Sequence, residues 1–264
     1  MKNFKVGMIQ IASKGDKDYN LKRMEELVDI ACQKGADVVA LPEMWNCPYQ
    51  NSYFTKFKEQ EGEESYELMK KLAKRYGIYL VGGSIPISDG DKIYNKSFVF
   101  NGCGKEIFSY SKINLFDIEG FKESDTITGG KSLGVFQTEF ANAGLLICYD
   151  SRFPELFQSL VNFGAEVIFM PSTFMIKTGK RFWELCNRAR AMDTQCFLIS
   201  PSIARDNELS KNAWAHSMIT SPYGEVLLDM DEDEGVEVFS IEADLVKEAR
   251  KNFPYKKSRE NRSL

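Results

Sequence analysis

The chain has 264 residues, 43% of them hydrophobic, enough to bury a full core as one large α/β domain or two small ones. Its 34 basic against 38 acidic residues give a formal charge of −4 and no basic face for nucleic acid or an anionic membrane surface, and no apolar run reaches spanning length. Six cysteines without paired spacing argue for a reducing cytoplasm rather than a disulfide framework, and a single histidine, His216, excludes a multi-histidine metal site.

Phe4 to Gln10 reads as a strand. From Asn20 to Lys34 the apolar residues Leu21, Met24, Leu27, Val28 and Ala31 keep a helical period, and Gly35 follows as a helix stop. Asp37 to Leu41 is a short continuous apolar strand, as expected of a sheet covered on both faces, and it ends in Pro42 and Glu43. Lys56 to Glu64 is polar. A second helix carries Tyr66, Met69, Leu72, Ala73 and Tyr76 up to Gly77, and Ile78 to Val81 is a strand before Gly82-Gly83. Ile93 to Phe100, a turn at Asn101 to Gly104, and Lys105 to Tyr110 form a hairpin that delivers Lys112. Asp117 to Lys131 is a Gly- and acid-rich loop of the length usually reserved for function. The strand Ala143 to Ile147 ends on Cys148, and Pro154 opens a helix, where its missing N–H costs nothing. Further on lie a helix over Lys180 to Asp193, a strand over Cys196 to Ser200, and a hairpin of Trp214 to Ser221 with Glu225 to Asp229. The strand Val236 to Ile241, a short helix Asp244 to Lys251 and a charged tail from Tyr255 to Leu264 complete the chain.

The second half repeats the first. Lys34-Gly-Ala-Asp-Val-Val-Ala-Leu-Pro-Glu43 matches Phe163-Gly-Ala-Glu-Val-Ile-Phe-Met-Pro-Ser172, and Val6 to Gln10 matches Ala143 to Ile147. Each half is strand, helix, Gly-Ala-acid turn, strand, proline. Right-handed crossovers make such strands parallel, so Glu43 and Cys148 both leave at carboxyl ends and converge. With no linker or low-complexity segment, residues 1–264 read as one domain. A cysteine, a glutamate or a lysine at a strand end is, taken singly, ordinary packing or an edge charge. Together they are the parts of a cysteine nucleophile that lacks a histidine. Such a thiol needs a carboxylate to take its proton and a cation to hold an oxyanion, and Glu43, Lys112 and Cys148 are of those types.

Leu41-Pro-Glu43, Tyr110-Ser-Lys112-Ile-Asn-Leu-Phe116 and Cys148-Tyr-Asp-Ser-Arg-Phe-Pro-Glu155 resemble, in order, the three signature blocks of the nitrilase superfamily, the carbon–nitrogen hydrolases. The resemblance runs from the first strand to the last helix. It implies an α/β fold, an αββα sandwich, with a catalytic triad in which Glu43 is the general base, Lys112 stabilises the oxyanion and Cys148 carries a thioester. It places the family's second glutamate on Glu123, with Glu119 four residues upstream. It implies no metal or organic cofactor, a small-molecule amide substrate and a homodimer paired through the Lys180–Asp193 helix and the C-terminal tail, about 252–264.

Within the superfamily, Asn46-Cys-Pro-Tyr49, Phe182-Trp-Glu-Leu185, Ser202-Ile-Ala-Arg-Asp206 and Trp214-Ala-His-Ser217 are similar to the ω-amidase branch. That implies hydrolysis of the terminal amide of 2-oxo dicarboxylic monoamides such as 2-oxoglutaramate and 2-oxosuccinamate. An N-carbamoyl amine hydrolase, a deaminated-glutathione amidase and a nitrilase are the alternatives on the same triad, and a non-catalytic scaffold is the alternative of another class. Asn114 stands where this branch more usually has histidine, and Ser172-Thr173-Phe174 where it tends to have Gly-Ala-Phe, so Thr173 and Phe174 border the expected pocket. A substrate carboxylate wants a guanidinium, and Arg152, Lys177 and Arg181 lie near the relevant strand ends. Tyr49 is a further candidate contact, and His216 reads as a structural hydrogen-bonding residue.

Overall fold

In a computed structural model, which describes residues 1–206 and 208–255, each half of the repeat builds its own sheet. Phe4–Gln10, Val38–Ala40 and Tyr79–Val81 are parallel neighbours in a seven-stranded sheet. Lys92–Phe100 extends that sheet, paired antiparallel to Ile85–Asp89 and Glu106–Ser111. Asn142–Leu145, Val167–Phe169 and Phe197–Ser200 are the parallel core of a six-stranded sheet, flanked by Val135–Gln137 on one side and Met218–Thr220 and Val226–Asp229 on the other.

Side-chain alternation stacks the two sheets face to face, because successive residues of a strand point to opposite faces. Val6, Met8, Val38, Ala40, Val81 and Val99 pack in one cluster with Ala143, Leu145, Val167 and Phe169 of the second sheet. The intervening Ile9, Val39, Leu80, Phe98 and Phe100 pack instead with the helices Lys17–Gln33 and Glu64–Tyr76. The helices Pro154–Asn162 and Ile176–Thr194 cover the second sheet. The layers are therefore αββα.

The repeat has a physical basis in both halves. A Cβ at Gly7 would come within 2.9 Å of the Ala31 Cβ, and one at Gly144 within 2.6 Å of Leu160 Cδ1, so each glycine sets how closely the following helix lies on its strand. Both helices then reverse through a left-handed glycine, Gly35 (φ 84°) or Gly164 (φ 95°). The acid of each turn ties back to the first strand: Asp37 Oδ2 accepts from the Lys5 N–H at 2.7 Å and Glu166 Oε2 from the Asn142 N–H at 3.1 Å.

Three features depart from the expectations above, and the position of the last strand is one they left open. The helix Lys17–Gln33 starts earlier, at an N-cap formed by Asp16, whose side chain accepts from the Tyr19 N–H. A seven-residue helix, Asn51–Phe57, stands where no element was expected and runs into the start of the polar stretch Lys56 to Glu64; it is anchored by buried Phe54 and Phe57. Of Trp214 to Ser221, only Met218–Thr220 is strand, because Ala215 and His216 take left-handed backbone angles (φ 62° and 57°) that break the extended run. The strand Gly235–Ile241 leaves the second half and returns to the first sheet, where it pairs antiparallel with Phe4–Gln10 from Phe4↔Ile241 to Gln10↔Gly235. The helix Asp244–Asn252 follows, and of the expected interface tail, 256–264 lies outside the described residues. Among the described residues, no helix is long and apolar enough to cross a membrane.

Candidate active site

Glu43 leaves the strand Val38–Ala40 through Leu41 and Pro42, and the next turn is locked from two sides. The Met44 N–H donates to Ser84 Oγ at 3.0 Å, and Trp45 Nε1 donates to the Gly82 carbonyl at 3.0 Å. Lys112 follows the strand Glu106–Ser111, with its N–H on the Asn95 carbonyl (2.9 Å) and its carbonyl receiving the Gly130 N–H (2.8 Å). Cys148 opens a 3₁₀ turn, Cys148–Arg152, with a left-handed φ of 49° that only its surroundings hold in place. Its N–H donates to the Pro171 carbonyl at 3.0 Å, fastening the turn to the neighbouring strand end.

Asp150 anchors this turn to the segment that carries Lys112. Its carboxylate accepts from the Ile147 N–H (3.1 Å), Tyr110 Oη (2.8 Å), and both the N–H and Nδ2 of Asn114 (2.9 Å each). The asparagine that departs from the branch's usual histidine is thus a tether between two signature blocks.

These turns bring Glu43, Lys112, Glu123 and Cys148 together, all buried. Lys112 Nζ donates to Glu43 Oε1 at 2.8 Å, Glu123 Oε2 at 2.9 Å and Tyr49 Oη at 3.1 Å. Glu43 Oε2 is buried without a hydrogen-bond partner among the described residues, and the Cys148 thiol lies close enough for each to feel the other's charge. Glu123 comes from a 3₁₀ turn in the middle of the loop 117–131, directly after a two-residue ladder, Asp117–Ile118 with Phe121–Lys122. Its Oε2 also accepts from the Phe116 N–H at 2.8 Å, whereas Glu119 is exposed at the ladder's tip. Of the two glutamates, Glu123 is the one that contacts Lys112.

One member of the cluster was not among the expected residues. Asn95 Nδ2 donates to both Glu43 Oε1 (2.9 Å) and Glu123 Oε1 (3.1 Å), bridging the two carboxylates from inside the hairpin strand. The signal in the sequence is a polar residue in phase with buried neighbours: Ile93, Asn95, Ser97 and Val99 alternate along one buried face of Lys92–Phe100.

Two carboxylates and one ammonium leave a surplus negative charge in a buried site. Burial, reinforced by the Glu123 charge, raises Glu43 above the ordinary carboxylate range despite the attraction of Lys112. Burial would depress Lys112, but Glu123 and Glu43 outweigh it and hold the ammonium well above its usual value. Burial and the Glu43 charge push the Cys148 thiol well above its usual value. The resting site is therefore a neutral thiol beside a carboxylate with elevated proton affinity, a pair suited to passing one proton between them.

A cleft of about 230 Å³ opens on Cys148, walled by Phe116, Tyr149, Thr173, Phe174, Thr178 and Phe182. Thr173 Oγ1 donates to the Glu43 carbonyl at 3.1 Å, and its own carbonyl lies 3.9 Å from Cys148 Sγ. Arg152 also lines the cleft, its guanidinium 4.5 Å from the Phe182 ring centre and without an ion-pair partner among the described residues. Lys177 and Arg181 are exposed and do not line it. Tyr49 reaches the cluster through Lys112. His216 bonds to Asp229 (2.9 Å) and stacks on Trp214, apart from this cluster.

The sandwich and this buried group define a hydrolase of the nitrilase type. A carbon–nitrogen hydrolase family model matches residues 5–251, and the chain belongs to that family. It is 41% identical over 264 residues to omega-amidase NIT2-A of Xenopus laevis, covering 98% of this chain and 96% of that one. With omega-amidase NIT2 of Homo sapiens the identity is 38%, over 96% and 94% of the two chains. The solved structure of Saccharomyces cerevisiae Nit3, described as a member of branch 10 of the nitrilase superfamily, superposes with a TM-score of 0.91 at 33% identity, covering 98% and 97%.

Proposed function

We propose that this chain is an amidase, a single catalytic domain that hydrolyses the terminal amide of a small dicarboxylic monoamide of the 2-oxoglutaramate type. The observation that carries the reading is the buried Glu43–Lys112–Cys148 group at the floor of a cleft whose wall holds Arg152, which has no ion-pair partner among the described residues. The likeness to omega-amidases supports it.

In this mechanism Glu43 takes the Cys148 proton as sulfur attacks the amide carbon, and Lys112 Nζ faces the oxygen as it gains charge. Glu43 then gives the proton to the departing nitrogen, the C–N bond breaks, and ammonia and a thioester remain. Water, deprotonated by Glu43, attacks the thioester carbon. The C–S bond breaks, and the proton returns to sulfur. Glu123 and Asn95 hold Lys112 and Glu43 in register throughout. No step asks for a metal or organic cofactor. Exposed Leu185, Met192, Phe253 and Tyr255, on or beside the helices Ile176–Thr194 and Asp244–Asn252, favour a homodimer through that face, and the free cysteines suit a cytoplasmic setting.

The decisive experiment is a panel of 2-oxoglutaramate, 2-oxosuccinamate, N-carbamoyl amino acids, deaminated glutathione and simple nitriles, scored by ammonia release and by the intact mass of the acylated protein. The expected result is turnover of the oxo-acid amides with the matching acyl mass on Cys148. Turnover confined to a carbamoyl compound or a nitrile would replace the substrate assignment with one of the alternatives.

Two expected outcomes follow from the geometry. Arg152→Gln should raise KM for 2-oxoglutaramate roughly 10- to 100-fold, the loss of a charge-assisted contact, and leave a short neutral amide little affected. Equal effects on both amides would remove Arg152 from carboxylate recognition. Glu43 must be ionised to accept the thiol proton, and its pKa is raised. Acidification should therefore abolish kcat/KM at a pH above the ordinary glutamate value of about 4.3, and an acid limb at or below that value would count against Glu43 as base.

A further inference from the structure

A second cleft, of about 90 Å³, reaches the site from another direction. Glu43 lines it and Cys148 does not; the larger cleft is lined by Cys148 and not by Glu43. Thr173 and Met175 belong to both and form the partition between them. The small cleft runs inward from exposed Gln50, Leu209 and Asn212, past Ser13 and Ser210, to Glu43. Its size suits a short file of waters, each of about 30 Å³ in the liquid, and its hydroxyl and amide groups suit their hydrogen bonds.

The chemistry divides along the same partition. The acyl group is held on sulfur and fills the Cys148 cleft. Ammonia and water are both handled at Glu43: ammonia leaves after taking a proton from it, and water arrives to give one up. While the acyl group occupies the larger cleft, a path for these small molecules through that cleft is obstructed.

We propose that the Gln50–Asn212 cleft is the passage by which ammonia leaves Glu43 and hydrolytic water reaches it, separate from the entrance used by the amide. The proposal rests on the amidase reading above. It makes the enzyme a two-door device in which the leaving group and the nucleophile bypass the bound acyl chain.

The test narrows the second door at its mouth with Gln50→Trp and Asn212→Trp, at exposed positions outside the catalytic cluster. Three quantities are read with 2-oxoglutaramate: kcat, the fraction of thioester at steady state by intact mass, and the rate of Cys148 alkylation by iodoacetamide through the larger cleft. The expected result is a fall in kcat of roughly five-fold or more, with thioester accumulating and alkylation unchanged, since transit of the small molecules has become limiting. Parent-like kcat and thioester levels in both variants would overturn the passage. So would a kcat loss matched by slowed alkylation, which places the damage in the larger cleft. Absence of ammonia release by the parent, with alkylation intact, would instead overturn the amidase reading itself.

Discussion

Glu43→Gln is expected to cut ammonia release by about 10³-fold or more, at the upper part of the range for loss of a general base, without unfolding the protein. The substitution keeps the shape of the side chain and an oxygen for Lys112 and Asn95, and removes only the charge. The Cys148 thiol, pushed up by burial, then keeps its proton at neutral pH, so iodoacetamide alkylation should slow together with turnover. Stability should move the other way. Because the folded-state pKa of Glu43 lies above its unfolded value, the folded protein binds more protons, and the ionised carboxylate weakens the fold as pH rises past the ordinary carboxylate range. A melting temperature at pH 7 equal to or above that of the parent, beside collapsed activity, is the expected signature. Retained kcat would remove Glu43 from the mechanism, and a lowered melting temperature would overturn this account of its burial.

Lys112→Met should be damaging in both respects. It removes the cation that, among the described residues, faces both Glu43 and Glu123, leaving two buried carboxylates bridged by Asn95. Breaking one side of a buried ion pair costs about 3–5 kcal/mol, a large share of the stability of a single domain. The loss should ease at mildly acidic pH. Without the ammonium, the carboxylates bind a proton more readily in the folded state than in the unfolded chain, so stability falls as pH rises through that range. Thermal melts between pH 5 and 8 give the slope directly. Turnover should fall about 10²- to 10³-fold even at pH values where the variant is folded, the loss expected of an oxyanion donor. A variant as stable as the parent at pH 8 would show that the lysine does not compensate the buried charges.

The principal members of this site were legible because each stands at a boundary the sequence marks: Glu43 after a Pro-ended apolar strand, Cys148 before a Pro-started helix, Lys112 at the end of a hairpin. The repeated Gly-Ala-acid turns supplied their convergence. What escaped was set by register rather than by local pattern. Asn95 bridges the two glutamates because its strand pairs Lys96 with Ser111, which lays the Asn95 carbonyl against the Lys112 N–H. No spacing rule contains that pairing. Asp150 is similar, since its acceptors serve groups some 36 to 40 residues away. The helix Asn51–Phe57 is too short for a helical period to emerge and is held by tertiary packing of its two phenylalanines.

The return of Gly235–Ile241 to the first sheet has a consequence for how the molecule is made. Phe4–Gln10 is synthesised more than two hundred residues before one of its two flanking partners. Until then its backbone N–H and C=O groups form an open edge beside an apolar face, the kind of surface on which chains pair with one another. The closing ladder also joins residues more than two hundred positions apart, a contact of high loop-closure entropy that forms slowly. Chains halted before about residue 241 should therefore aggregate or remain bound to chaperones even though they contain all four of Glu43, Lys112, Glu123 and Cys148. The strand Gly235–Ile241 acts as a quality seal on synthesis: the site's chemistry is kept in solution only after that strand has been translated and paired.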